Sequence, residues 1–473
     1  MDKYLYYKEN DYELYKGAMQ DVLRTFEKNS IDSIVCDPPY ELNFMNKGWD
    51  NSGVAFQPDT WKRCYDVLKE GGYLLAFGGS RTFHRIAVAI EDAGFEIRDT
   101  IMWLYGSGFP KSQNIGLMID KKNGVDNRTG NFVKGVGSNN TNSMKNGLGK
   151  SQEFAKEYEE RIAQNEWQGW GTCLKPAYEP IIVARKPFKG SLVDNVIKNG
   201  VGGLNIDECR IPTNDDLARI NKTDNGMFGV GNNNNNTAQI CKENGIDYGG
   251  RFPANVILTY DETDFDEVCG GMPDTKSTTT TTMSNLSDKN AETGIYSKLY
   301  AERIEHLGGF NDSGSAARYF YCAKASKKDR DEGLDLFESK QLYYDDRRGN
   351  SFDIFVKRDE NGKPLNAQRK NIHPTVKPVD LMQYLVRLVT PKNGTILDCF
   401  MGSGSTGKAV MFENRERQAN YKFIGVEMTE EYLPICQSRI DYAKNKYEYE
   451  LIKEKQEQQE KGIIDIFDFM EEE

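Results

Sequence analysis

The residues best suited to chemistry sit in one short segment, Asp37-Pro38-Pro39-Tyr40, at the end of the apolar run Ile31-Asp32-Ser33-Ile34-Val35-Cys36. Consecutive prolines hold φ and remove two backbone donors, so the carbonyls there are free to face outward. A tight turn after a strand would use Pro-Pro in the same way. An acid before the prolines and an aromatic after them, at the carboxyl end of a strand where parallel sheets bind ligands, are more specific than a turn. Together they suit an amino nitrogen attached to a flat ring, which is a poor nucleophile because its lone pair is delocalised. Asp37 and the Pro38 carbonyl would each accept one N–H hydrogen bond and draw that nitrogen toward tetrahedral geometry. Tyr40 would stack on the ring. Cys36 lies inside the strand and reads as core rather than as a nucleophile.

A second segment, Asp398-Cys399-Phe400-Met401-Gly402-Ser403-Gly404-Ser405-Thr406-Gly407-Lys408-Ala409, fits three cofactor motifs. Gly402, Gly407 and Lys408 have P-loop spacing, but Ala409 stands where a magnesium-ligating Ser or Thr belongs. Gly402, Gly404 and Gly407 also match G-x-G-x-x-G, with Glu427 about 20 residues beyond to hold ribose hydroxyls. The third reading is a loop for S-adenosylmethionine, because the segment resembles the F-x-G-x-G-[ST] motif of amino-methyltransferases, and that resemblance implies the following roles. Phe400 would pack on the cofactor, the glycines would admit backbone to its methionine moiety, and Glu427 would hold its ribose. That cofactor has no phosphates, so Lys408 would be helix surface. Only this reading expects a second motif of the Asp37–Tyr40 kind.

The elements that must position these loops alternate. The run at 31–36 is a strand, 61–69 has helical spacing, Gly71-Gly72 breaks into a strand at Tyr73–Phe77, a helix spans Arg81–Ala93, and Ile97–Tyr105 is a further strand. This order predicts a parallel sheet covered on both faces. Residues 106–170 have loop texture, Pro180–Ala184 restores a strand, and 190–370 lacks regular periodicity. The runs Asn232–Asn236 and Thr278–Thr282 read as loop or disorder. Regular texture returns at 371, with a helix after Pro378 and strands at Thr395–Leu397 and Phe423–Val426. One sheet assembled from both ends of the chain, around an inserted region, accounts for this.

Composition narrows the class. The chain has 473 residues, no apolar run long enough to span a membrane, and no basic-then-apolar leader pattern. Nine cysteines are scattered without a C-x-x-C pair, which argues against zinc, any other metal and disulfides, and predicts a cytoplasmic protein. Net charge is −11, so any nucleic-acid contact must use a local basic surface.

The two motifs, in this order, resemble the permuted β class of N6-adenine/N4-cytosine DNA methyltransferases. His373-Pro374-Thr375-Val376-Lys377-Pro378 resembles the segment closing one side of the cofactor site in that family. Gly106–Ser112, Leu174–Pro180, Gly250–Asn255 and Tyr321–Lys327 resemble phage and mobile-element members, so a bacterial, phage or mobile-element origin is expected. The resemblance implies a class I, Rossmann-like α/β fold, circularly permuted, with a large inserted target-recognition region and one antiparallel strand at Pro180–Ala184. It divides the chain into a catalytic half (1–105), a flexible loop (106–170), the antiparallel strand (171–189), target recognition (190–370), a cofactor half (371–445) and an acidic tail (446–473). It implies S-adenosylmethionine as cofactor, held by Cys36, Asp37, Thr375, Lys377, Asp398, Phe400, Gly402, Ser403, Gly404, Ser405, Thr406 and Glu427. Asp37, Pro38, Pro39 and Tyr40 would be catalytic, on an adenine flipped out of double-stranded DNA. The initial Asp favours adenine over cytosine. One departure is Gly17-Ala18, where the family has Gly-Asp, so the adenine-contacting role of that Asp is not carried over.

Expected phosphate contacts are Arg81, Arg85, Lys111, Lys175, Arg185 and Lys186, with Lys324, Lys327 and Lys328 as a second basic cluster. Gly333-Leu334-Asp335-Leu336-Phe337 and Ile463-Ile464-Asp465-Ile466-Phe467 resemble the apolar core of sliding-clamp peptides without the leading Gln; an apolar patch of this kind more often docks on its own domain or a dimer partner. A restriction nuclease is a further expected partner, and a non-catalytic DNA-binding protein is the alternative of a different class.

Overall fold

The computed structural model of the protein describes residues 3–42, 52–105, 112–125, 162–212, 250–260, 320–324, 327–335, 337 and 368–446, with the backbones of short paired strands at 132–134, 159–161, 274–277, 280–283, 305–308, 312–315 and 340–341. In chain order the main sheet comprises β1 (Leu5–Lys8), β2 (Tyr12–Lys16), β3 (Ile31–Cys36), β4 (Leu68–Phe77), β5 (Glu96–Tyr105), β6 (Tyr178–Arg185), β7 (Val256–Tyr260), β8 (Tyr321–Lys324), β9 (Thr395–Asp398) and β10 (Lys422–Glu427). These ten strands lie in the spatial order β1-β2-β10-β9-β3-β4-β6-β5-β7-β8. β9 pairs in parallel with both β10 and β3, so the C-terminal strands are inserted between N-terminal ones. Two loops more than 350 residues apart in sequence thereby come to lie side by side at one sheet edge.

The central strands are apolar at nearly every position because both faces are covered. Along β4, Tyr73, Leu75 and Phe77 enter one core cluster, whereas Leu74 and Ala76 enter the other. Helices α1 (Met19–Leu23), α2 (Pro58–Val67) and α3 (Phe83–Asp92) contribute to the second cluster. This is the Rossmann-like α/β arrangement implied by the resemblance. β6 is antiparallel to both β4 and β5, as expected for Pro180–Ala184.

Several local expectations change. β4 begins at Leu68 and runs through Gly71-Gly72, which therefore do not break the chain. A Cβ on Gly71 would stand 2.1 Å from Asn195 Nδ2, and one on Gly72 2.9 Å from the Asp32 carbonyl, so glycine is needed for close approach. Helix α4 (Ile115–Lys122) lies within the segment read as loop, with the Asn114 side chain accepting from Leu117 N at 3.0 Å as its cap. Helix α5 (Leu192–Asn199) likewise lies in the region read as aperiodic, capped by Ser191 and closed by Gly200 at φ +73°. β7 and β8, from that same region, extend the main sheet in parallel with β5. Thr280–Met283 is a strand paired with Glu305–Gly308 rather than a loop; Asn232–Asn236 lies outside the described residues.

The C-terminal helices are α6 (Val379–Val389), α7 (Ser405–Arg417) and α8 (Leu433–Lys444). α7 packs between the other two and is buried at every position from Ser405 to Glu413. Lys408 is therefore not helix surface but fully buried, with Nζ 3.2 Å from Asp329 Oδ1 and 2.7 Å from Glu332 Oε2. Leu334, in the first clamp-like segment, is also fully buried in the core, which removes that segment as an exposed docking peptide. The second such segment, at 463–467, lies outside the described residues. Among the described residues no helix is long and apolar enough to cross a membrane.

Candidate active site

The carboxyl ends of β3 and β9 open into one cavity of about 1060 Å³. Pockets that take drug-sized ligands run from roughly 300 to 1,000 Å³, so there is room for a nucleoside-sized cofactor and a second ring. Asp37, Pro38, Pro39 and Tyr40 line one part of it, and Asp398, Phe400, Gly402, Ser403, Ser405, Thr406 and Glu427 line another. Thr375 and Lys377 also face it. Cys36 and Gly404 do not line it. Cys36 is fully buried in the second core cluster, and Gly404, at φ +76°, is the N-cap of α7 against Cys436.

In the glycine-rich part, the polar side chains of Asp398, Thr406 and Ser403 are engaged in hydrogen bonds within the loop and to α8. Thr406 Oγ1 donates to Asp398 Oδ2 at 2.5 Å, and the Phe400 amide donates to Asp398 Oδ1 at 3.0 Å. Burial raises the Asp398 carboxyl well above its usual range, with those two donors acting in the opposite direction. Arg439 on α8 is fully buried beneath the loop, donating to the Ser403 carbonyl at 2.6 Å and to Ser403 Oγ at 2.9 Å. Gly402, at φ +56°, leaves no space for a side chain, since a Cβ would stand 2.8 Å from His373 Nε2. Burial lowers the His373 imidazole to about 4, so the ring is neutral at ordinary pH. Glu427 Oε2 accepts from the Gly402 amide at 2.9 Å and Oε1 from the Thr429 amide at 2.7 Å. A carboxylate has further lone pairs, so Glu427 can still accept from ribose hydroxyls. Gly17 and Ala18 also line the cavity and bring no carboxylate, in keeping with the sequence departure there.

These features fit S-adenosylmethionine better than a nucleotide phosphate. The cation of the P-loop reading, Lys408, is held in ion pairs under α7 and does not line the cavity. Among the described residues no cluster of His, Cys, Asp and Glu could hold a metal ion.

The acid end of the cavity is a network that the sequence does not announce. Lys377 Nζ lies 2.6 Å from Asp37 Oδ2 and 3.5 Å from Glu179 Oε2. Tyr40 OH donates to Glu179 Oε2 at 2.7 Å, and Tyr105 OH to Glu179 Oε1 at 3.3 Å. Thr82 Oγ1 donates to the Tyr40 carbonyl at 2.7 Å. Burial opposes the charge on Lys377, but Asp37 and Glu179 outweigh it and its pKa ends above the ordinary value. Burial, then the charges of Asp37 and Glu179, push the Tyr40 phenol well up, so it stays a donor. Asp37 Oδ1 is buried and has no hydrogen-bond partner among the described residues. It remains an open acceptor.

Glu179 and His373 are site residues beyond those expected from the sequence, although each lies in a segment that resembles the family. Nothing local marks Glu179, because it reaches the site only through the antiparallel course of β6.

The expected DNA contacts separate. Arg81 and Lys175 are exposed, next to Ser80 and Pro176 of the cavity wall. Arg85 is exposed and stands over the Phe56 ring at 4.8 Å. Arg185 pairs with Glu96 at 2.7 Å, at the amino end of β5, so it lies on the opposite sheet edge from Asp37. Lys186 is no phosphate contact. It is buried, with Nζ donating to Asn29 Oδ1 at 2.8 Å and to the carbonyls of Tyr65 and Leu68 at 2.6 and 2.7 Å. Lys111 and the side chains of Lys324, Lys327 and Lys328 lie outside the described residues.

The chain is similar in sequence to Type II methyltransferases. The chain is 26% identical over 170 residues to the Type II methyltransferase M.HindIII of Haemophilus influenzae, covering 35% of this chain and 40% of that one. It is 33% identical over 97 residues to the Type II methyltransferase M.HpaI of Haemophilus parainfluenzae, covering 19% of this chain and 31% of that one. The chain thus matches less than half the length of either relative. The solved structure of PvuII DNA methyltransferase (cytosine-N4-specific) overlaps 92% of this chain and 88% of its own at 12% identity, with a TM-score of 0.38. The DNA methylase family profile matches residues 31–438, and that family depends on S-adenosylmethionine. A match spanning both motifs and nearly all the described sheet makes this chain a member of the DNA methylase family.

Proposed function

We propose that this protein transfers a methyl group from S-adenosylmethionine to the N6 amino nitrogen of adenine in double-stranded DNA, with Asp37, Pro38, Pro39 and Tyr40 as its catalytic residues. The carrying observation is Asp37 Oδ1, a buried acceptor with no partner among the described residues, in the same cavity as the glycine-rich loop. S-adenosylmethionine, when bound, supplies a methyl group on a cationic sulfur. Asp37 Oδ1 accepts one amino N–H and the Pro38 carbonyl the other, so the nitrogen lone pair is released from the ring to attack the methyl carbon as its bond to sulfur breaks, and the surplus amino proton leaves through Asp37 Oδ1. Tyr40 stacks on the base, which must leave the duplex to reach the cavity. Phe400, Gly402 and Glu427 hold the cofactor, and Lys377, 2.6 Å from Asp37 Oδ2, orients the Asp37 carboxylate. Preorganised acceptors and positioning account for most of the rate.

Arg81 and Lys175, exposed beside the cavity wall, are the best-supported phosphate contacts. The names of the relatives, Type II methyltransferases, support a restriction–modification setting with a nuclease partner. The test is transfer of labelled methyl to duplex DNA of varied sequence, followed by nucleoside analysis. N6-methyladenine is expected, and Asp37→Ala should lower the rate by at least about a hundredfold. N4-methylcytosine would overturn the adenine assignment, and no labelling at all would overturn the enzyme reading.

A further inference from the structure

Glu179 touches three residues of the acid network and has no role in the reading above. Its position follows from strand direction. β6 runs against its neighbours, so its amino end lies at the carboxyl edge of β4 and β5, where Glu179 registers with Trp103. From there Glu179 accepts from Tyr40 OH at 2.7 Å and from Tyr105 OH at 3.3 Å, and it lies 3.5 Å from Lys377 Nζ. Two consequences follow. The Tyr40 ring is held at its far end as well as through its backbone, where Thr82 donates to its carbonyl. Lys377 is shared between two carboxylates, so it does not fully neutralise Asp37.

The charge balance gives this a chemical meaning. Asp37 and Glu179 carry one negative charge each, and Lys377 carries one positive charge. Without Glu179 the group would be neutral; with it, one negative charge remains beside the buried acceptor Asp37 Oδ1. A cation developing on an amino nitrogen held there is favoured by that excess charge, since such interactions strengthen where water is excluded.

We propose that Glu179 is a positioning residue for the reacting base: it sets the stacking angle of Tyr40 and, by sharing Lys377, keeps Asp37 a strong acceptor. The proposal rests on the methyl-transfer reading, and deepens it.

The experiment compares wild type, Glu179→Gln, Tyr40→Phe and the double variant in single-turnover methylation of duplex DNA, alongside the melting temperature and the Kd for S-adenosylmethionine. Glutamine keeps the size and an acceptor for a tyrosine hydroxyl but removes the charge. Glu179→Gln should lower the single-turnover rate about tenfold or more, with cofactor Kd and melting temperature close to wild type, because the loss falls on the chemical step. The double variant should be less impaired than the product of the single effects, since both act through the Tyr40–Glu179 contact. Wild-type rates for Glu179→Gln would overturn the proposal and leave methyl transfer intact. Equal losses in rate, cofactor affinity and melting temperature would reduce Glu179 to a structural part and also overturn it. A wild type that methylates nothing would overturn the reading beneath it.

Discussion

Lys377 Nζ lies 2.6 Å from Asp37 Oδ2 and so joins residues 340 positions apart, at the point where the two halves of the chain meet. The Lys377 side chain is 8% exposed and that of Asp37 21%, so the pair is largely withdrawn from water. Removing one member of a buried pair leaves the other uncompensated, which costs about 3 kcal/mol or more. Lys377→Met should therefore lower stability by about that amount in urea denaturation. Adding Asp37→Asn to it should restore part of the loss, although activity stays absent. Strictly additive losses would show that the pair is not coupled.

Lys408 tests the three readings of the glycine-rich loop in a different way. As a buried counter-ion to Asp329 and Glu332, it is a stability residue. Lys408→Ala should lower the unfolding free energy, again by about 3 kcal/mol, and with it the urea midpoint. Wild type should show no saturable binding of ATP by calorimetry. Tight ATP binding lost with Lys408→Ala would return the P-loop reading.

The His373 imidazole gives a pH signature. Burial holds its folded pKa at about 4, below the ordinary value of about 6.5 for an unfolded chain. Between those values the unfolded state takes up a proton that the folded state does not, so stability falls as pH drops from about 6.5 to about 4. Above that window the group is neutral in both states and contributes no slope. His373→Asn should flatten the decline between pH 6.5 and pH 4, read as urea midpoints across the window. An unchanged slope would show that His373 is not the group responsible.

Arg81, Lys175 and Lys186 separate surface charge from buried charge. Each phosphate contact adds about 0.9 to the slope of log K against log salt. Arg81→Ala and Lys175→Ala should each reduce that slope by about 1 in DNA-binding titrations, with little change in stability. Lys186→Ala should leave the slope alone and lower stability, because Asn29 and the carbonyls of Tyr65 and Leu68 lose their shared donor. A reduced slope for Lys186→Ala would contradict its burial.

What the sequence determined by itself was mostly local. Asp37-Pro38-Pro39-Tyr40 and the loop from Asp398 carry their geometry in residue type, since proline restricts φ and glycine admits close backbone. Strands such as Ile31–Cys36 declare themselves by continuous apolar runs, and regular α/β texture on both sides of an irregular middle leads to the expectation of one sheet built from both chain ends. Tertiary structure decided which charges meet. Lys408 and Lys186 looked like solvated cations because nothing local reports what packs over a helix or strand end, and α7 has no single apolar stripe to reveal that it is enclosed on both sides. β7 and β8 join the sheet through parallel pairing with distant strands, a long-range choice that short-range periodicity does not encode. Glu179 reaches Tyr40 and Lys377 only because β6 runs antiparallel, and strand direction is a property of the assembled sheet rather than of any segment within it.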